Sequence, residues 1–256
     1  MPVTYPQSVK LFEVGPRDGL QSESRILATG EKIALINDLS ACGCRAIEVS
    51  SFVSQDKIPQ LADAEDVFAA ITRAETCRYS ALVANQKGLV RALNSHVEHI
   101  GLLTAASETF CKRNINCTIA ESLERIQAIT SIARENGMRV RVYISCAFDC
   151  AYEGITDPEK VCAIVKKLHA MNCHEFSLAD TTGKATPAQV EYLIKQCLTV
   201  IAIENLSMHF HDSYGQALAN ALASLKMGVE CFDTSIAGIG GCNFSPGASG
   251  NLATED

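Results

Sequence analysis

No stretch of the chain stays apolar over the roughly 18 to 20 residues that a membrane span needs. The opening residues MPVTYPQSVK lack the basic start and apolar stretch of a signal peptide. A soluble protein with no membrane partner is expected, cytoplasmic or a processed mitochondrial one. A basic surface is also missing. The formal net charge of -7 argues against broad binding to nucleic acid, which needs cations to neutralise phosphates, so an anionic ligand would require a local basic patch. Linkers, low-complexity tracts and short-period repeats are absent too. Twelve cysteines are present, but at irregular spacing and without any C-x-x-C pair, which disfavours a zinc ribbon or redox dithiol. Most are expected to be reduced core residues, and Cys42 and Cys44, flanking Gly43 at a helix end, are read as packing residues.

What the chain does contain is ordinary globular material. Its 256 residues are 47% hydrophobic and 20% charged, enough to bury one full core, so residues 1–256 are read as one domain. Short β-branched apolar runs alternate with segments of helical period, the pattern of repeated β-α units. Eight strands are expected, at Val9–Val14, Ala46–Phe52, Tyr79–Ala84, His99–Thr104, Arg139–Ser145, Glu175–Ala179, Ser207–His211 and Cys231–Ala237. Among the helices, Ile119–Asn136 carries Ile119, Leu123, Ile126 and Ala133 on one face and stops at Gly137. Capping signals at Thr29, Asp157-Pro158 and Thr186-Pro187 mark other helix starts. The fold class is α/β, a (β/α)8 TIM barrel. The helix expected after the eighth strand would begin where the sequence ends at Asp256, so the barrel reads as truncated before or within its last helix.

In such barrels the catalytic groups gather at the C-terminal ends of the strands. After the first strand comes Gly15-Pro16-Arg17-Asp18-Gly19, a sharp loop holding an adjacent cation and anion, though a surface turn with a local ion pair reads equally well. In the seventh strand, His209 and His211 point the same way, about 6.6 Å apart along the strand. That pitch suits two ligands of one metal. Asp18 would add a hard oxygen, a set suited to magnesium, manganese or zinc and not to a thiolate-loving ion. The eighth strand runs into a loop with five glycines between Gly238 and Gly250. Its thiol, Cys242, is the cysteine placed to react. Asn251 beyond it could cap a helix or offer a further metal oxygen. Glu48 and Asp180 are expected in the mouth, orienting Arg17 and the metal ligands or holding a proton. His96, His99, His169 and His174 have no comparable setting and are read as structural or solvated.

The segments EVGPRDGLQ, IEVSSFVS, KRNINC, YEG, GQALAN and GGCNFSPGASGNLATED, taken in order, resemble the 3-hydroxy-3-methylglutaryl-CoA lyase family, within a metal-dependent lyase and synthase superfamily on TIM barrels. The resemblance implies metal ligation by Asp18, His209, His211 and Asn251, with Mg2+ or Mn2+ as the ion. It implies that Arg17 stabilises the enolate and Cys242 moves a proton, with Glu48 and Asp180 in support. It further implies an acyl-CoA substrate, retro-Claisen cleavage to acetoacetate and acetyl-CoA, and a homodimer. The chain departs from the family at Gln21-Ser22-Glu23-Ser24, where a lysine is common. Lys112 and Arg113, after the fourth strand, are the candidate cations for the CoA phosphates.

Overall fold

The computed structural model describes residues 5–241 and 247–256. Eight parallel strands close into a barrel: β1 (Lys10–Glu13), β2 (Ala46–Phe52), β3 (Arg78–Val83), β4 (His99–Ala105), β5 (Arg139–Ser145), β6 (Glu175–Asp180), β7 (Leu206–Phe210) and β8 (Cys231–Thr234). Each strand pairs with its neighbours in sequence, and β1 meets β8 through Lys10↔Cys231 to Glu13↔Thr234, which closes the ring. All eight expected strands are present. The last ends three residues early. Ser235 instead bridges Ala253, and Ile236–Gly238 forms a 3-10 turn in which Ala237 sits at φ 54, its N–H held by the Glu255 carboxylate.

Eight α-helices among the described residues cover the barrel: α1 (Thr29–Ala41), α2 (Ala64–Ala70), α3 (Gln86–Asn94), α4 (Glu108–Ile115), α5 (Ile119–Glu135), α6 (Pro158–Ala170), α7 (Pro187–Cys197) and α8 (Ala217–Lys226). Two of them, α4 and α5, follow β4, whereas no α-helix follows β8 among the described residues. None is long and apolar enough to cross a membrane. Helix α5 shows why these segments fold as they do. Thr118 caps its start by accepting from the Glu121 N–H, Glu121 reaches back to the Thr118 N–H, and Gly137 at φ 73 ends it. Its Ile119, Leu123, Ile126 and Ala133 are all buried. At α1 the expected cap is displaced by one residue: Ala28 is the N-cap, and Thr29 Oγ1 donates across to Asp63.

Outward-facing strand residues such as Phe176, Leu178 and Met208 pack under the helices in one large apolar core. The barrel's own interior is different. Interiors of this fold are usually filled by branched apolar side chains, but here Arg141 lies buried among Glu175, Ser207 and Asp233 and donates to all three. Its guanidinium also sits over the Phe12 ring, 4.1 Å from the centroid, and over Tyr143 at 5.1 Å. A cation without these partners would not tolerate that depth. The network forms a polar floor beneath the mouth.

Candidate metal and acyl-transfer site

The Arg-Asp loop is a single turn of π-helix, Gly15–Gly19, in which the Val14 carbonyl accepts from the N–H groups of Arg17, Asp18 and Gly19. Glycine is needed at both ends. A Cβ on Gly15 would lie 2.6 Å from Glu13 Oε1, and one on Gly19 would lie 2.7 Å from Ile239. The loop aims Arg17 into the barrel. There its Nε donates to Glu48 at 2.5 Å and its Nη1 to Asp18 at 2.5 Å, while the guanidinium stands 5.3 Å from the Tyr143 ring centre. Burial opposes the charge on Arg17, yet the Glu48 and Asp18 carboxylates outweigh it and raise its pKa above the usual value. Arg17 is therefore a permanent cation with a fixed direction.

Asp18, His209 and His211 offer ligand atoms that all lie within 4.8 Å of one another. The two imidazole Nε2 atoms approach to 3.4 Å, as the strand pitch anticipates, although His211 lies one residue past β7. There it forms an isolated bridge with Asn251, which brings the C-terminal segment onto the site. Asn251 Nδ2 donates to Asp18 Oδ2 at 3.1 Å and to the Ile239 carbonyl at 3.0 Å. Its Oδ1 is buried with no hydrogen-bond partner. An orphaned carbonyl oxygen beside a carboxylate and two imidazoles is what a hard divalent cation would satisfy, so the residues present fit such an ion. Burial works against ionisation of both histidines. In His209 the Asp233 carboxylate more than compensates and raises the pKa, whereas in His211 burial and the neighbouring His209 push it down to about 4. For Asp18, burial is outweighed by Arg17 and both histidines, which hold its carboxyl below the usual range.

The other expected residues are placed less uniformly. Glu48 lies in the first half of β2, just before a register shift against β3, and accepts from both Arg17 and the Tyr143 hydroxyl, the latter at 3.0 Å. Burial pushes its pKa up against the pull of Arg17. Asp180 does not join the group. Ala179 faces the mouth, so Asp180 faces the helix layer, where its two oxygens accept from the backbone N–H of Lys184 and Ala185 at 3.2 and 2.9 Å. Lys112 and Arg113 are exposed in the last turn of α4, outside the lining of the mouth, and Arg113 stacks on Tyr152 at 4.3 Å. Cys242 lies outside the described residues. The remaining eleven cysteines are free thiols, Cys42 exposed and Cys44 half-buried. His174 accepts the Val140 N–H and His169 packs edge-on against Phe176, in keeping with structural roles.

Three residues of the site were not anticipated. Asp233 is buried, accepts from Ser177 Oγ at 2.8 Å and pairs with His209 Nδ1 at 3.1 Å, linking a metal-ligating histidine to the polar floor. Tyr143 supports Glu48. Glu13 accepts from the Gly15 and Ile236 N–H groups and from Thr254 Oγ1, binding the Arg-Asp loop to the end of β8. A signal existed: Asp233 and Arg141 are charges at inward positions of otherwise apolar strands. Above the trio a cavity of about 660 Å3 opens across the tops of β2 to β4, between residues 53–60 and helices α4 and α5.

Fold and site together define a class: (β/α)8 enzymes with a carboxylate and two histidines at the C-terminal mouth, poised for a divalent ion beside a fixed arginine. The chain belongs to the HMGL-like family, whose model matches residues 8–256. It is 47% identical over 254 residues to the 3-hydroxy-3-isohexenylglutaryl-CoA/hydroxy-methylglutaryl-CoA lyase of Pseudomonas aeruginosa, covering 99% of this chain and 85% of that protein. It is likewise 47% identical over 253 residues to the mitochondrial hydroxymethylglutaryl-CoA lyase of Bos taurus, covering 99% and 78%. A crystal structure of an HMG-CoA lyase from Acinetobacter baumannii, in complex with coenzyme A and 3-methylmalate, superposes with a TM-score of 0.94 at 38% identity, covering 97% of this chain and 81% of that one.

Proposed function

We propose that the protein is a hydroxymethylglutaryl-CoA lyase, cleaving 3-hydroxy-3-methylglutaryl-CoA to acetoacetate and acetyl-CoA. The observation that carries this reading is the convergence of Arg17, Asp18, His209, His211 and Asn251 at one end of a barrel belonging to the HMGL-like family. A retro-Claisen cleavage needs a base for the C3 hydroxyl proton, an electrophile for the enolate left on the thioester as the C2–C3 bond breaks, and an acid to protonate C2. When held by Asp18, His209, His211 and Asn251, a divalent ion such as Mg2+ or Mn2+ lowers the pKa of the tertiary alcohol. Asp18 and His209 are the groups placed to take that proton. Arg17, with Nη2 free of a protein acceptor among the described residues, donates to the thioester oxygen as the electron pair moves onto it. By analogy with an oxyanion-hole donor this contributes about 3 to 4 kcal/mol to the transition state. Cys242 then delivers a proton to C2, giving acetyl-CoA, while C3 leaves as the ketone of acetoacetate.

The deciding assay incubates the protein with 3-hydroxy-3-methylglutaryl-CoA and either Mg2+ or EDTA, and quantifies acetoacetate, acetyl-CoA and free CoA, with Cys242→Ala in parallel. Equal amounts of acetoacetate and acetyl-CoA, dependent on metal and strongly reduced in the variant, are expected. Free CoA without acetoacetate would mean hydrolysis, and binding without turnover would mean a non-catalytic binder. The size of the cavity favours a second reading, a lyase that also takes 3-hydroxyglutaryl thioesters with a bulkier C3 branch, as the Pseudomonas aeruginosa relative's name states for that protein. Parallel assays with a longer C3 alkyl group separate the two.

A further inference from the structure

Most cations of the chain are already engaged. Lys32 is bound to Asp63, Arg91 to Glu65, Arg141 to Glu175 and Asp233, Arg25 to Glu31 and Lys10 to Glu230. Two that line the cavity above the trio are not in ion pairs among the described residues: Lys57, from the loop after β2, and Arg125, from α5. Lys57 is exposed and has no side-chain hydrogen bond among the described residues. Arg125 donates only to the Ile115 carbonyl, at 3.2 Å. The carboxylate one turn before it, Glu121, is occupied as acceptor for the Thr118 N–H and hydroxyl. These two cations stand on opposite walls of the opening. Below them the cavity narrows through Leu82, Leu103 and Tyr143 to Arg17 and Asp18, and the only acidic group along its lining is Asp18. In a chain of net charge -7, an opening with two unpaired cations and an apolar throat leading to a polar centre has the charge order of a thioester whose far end is a nucleotide phosphate.

We propose that Lys57 and Arg125 hold the nucleotide phosphates of the coenzyme A thioester at the rim of the cavity, and that Lys112 and Arg113 do not. The inference rests on the acyl-CoA reading above. Lys57 also supplies a positive charge on the side of the mouth where the loop Gln21-Ser22-Glu23-Ser24 carries none. Both side chains are exposed and unburdened by structural pairs, so removing them tests binding and not folding.

The test compares Lys57→Ala, Arg125→Ala and their combination with the pair Lys112→Ala/Arg113→Ala. Steady-state kinetics are measured on 3-hydroxy-3-methylglutaryl-CoA and on the corresponding pantetheine thioester, which lacks the phosphates. The combined Lys57/Arg125 variant should raise KM for the CoA thioester about tenfold or more, with the penalty absent from the pantetheine thioester and the salt dependence of KM flattened. Calorimetric binding of coenzyme A itself, which needs no turnover, should weaken by the same factor. That arm keeps the inference testable if the cleavage assay fails for the wild-type protein. An unchanged coenzyme A affinity in the combined variant, an equal penalty on both thioesters, or a loss confined to Lys112→Ala/Arg113→Ala would each overturn the proposal.

Discussion

Replacing Asp233 by Asn tests whether the polar floor of the barrel prepares the metal site. The Asp233 carboxylate can only accept, so His209 Nδ1 carries the hydrogen of their 3.1 Å contact and Nε2 keeps its lone pair toward Asp18 and His211. In Asp233→Asn one oxygen remains for Arg141 and Ser207, but an NH2 group takes the place of the oxygen that faced Ser177 and His209. Ser177 can turn its hydroxyl to accept. His209 can only match the new donor by reversing its tautomer, which puts a hydrogen on Nε2 and removes one metal ligand. Loss of a partner of this kind weakens metal binding about 10- to 100-fold, or about 1.4 to 2.7 kcal/mol. Halving the acceptors around Arg141 should also cost stability, toward the lower end of the roughly 3 to 5 kcal/mol seen when a buried pair is broken outright, because the isostere keeps one contact. Mn2+ titration by calorimetry on EDTA-stripped protein reads the first effect and urea unfolding the second. A Mn2+ Kd within twofold of wild type in a stably folded Asp233→Asn protein would refute the argument.

Other perturbations follow from the same geometry. Gly240 sits at φ 123 with a virtual Cβ 2.4 Å from Asn251 Nδ2, so Gly240→Ala should displace Asn251 and weaken Mn2+ binding about tenfold or more, read by the same titration. Gly101→Ala would place a methyl group 2.8 Å from the Tyr143 ring and 2.9 Å from Glu48 Oε1; a stability loss of about 1 to 3 kcal/mol in urea is expected, together with slower cleavage as Arg17 loses its fixed support. Burial pushes Asp180 up to about 6 against the pull of its backbone donors, so this side chain's contribution favours the folded state fully below its unfolded value near 4 and is lost as pH rises through 6. Urea midpoints between pH 4 and 7 should therefore show a fall in wild type that is flattened in Asp180→Asn. Mn2+ added to stripped protein at 100 times its Kd should raise stability by about 2.7 kcal/mol, seen as a higher Tm, and Asp18→Asn should suppress that gain.

The barrel was legible because its causes are local. Alternation of β-branched runs with amphipathic helices, and stop and cap signals such as Gly137, Asp157 and Thr118, act within a few residues of one another. The pairing of His209 with His211 was legible for the same reason, since strand pitch alone sets two side chains on one face. The strand positions of Glu48 and Asp180 show where local reasoning stops. Both were expected at the mouth, but one lies deep beside Arg17 and the other turns to the helix layer, because inward or outward is decided by pairing register and by the shift between Glu48 and Ser50. Lys57 and Arg125, far apart in sequence, border one opening only because β2 and α5 approach the same end of the barrel. By itself, then, the sequence determined the eight-fold alternation, the chemical types at the strand ends and the ligand pair of β7. Only the closed barrel decided that Asp18, His211 and Asn251 meet, that Asp233 stands behind His209, and which cations face the cavity, since these contacts span up to 233 residues of chain and exist only once β1 has closed on β8.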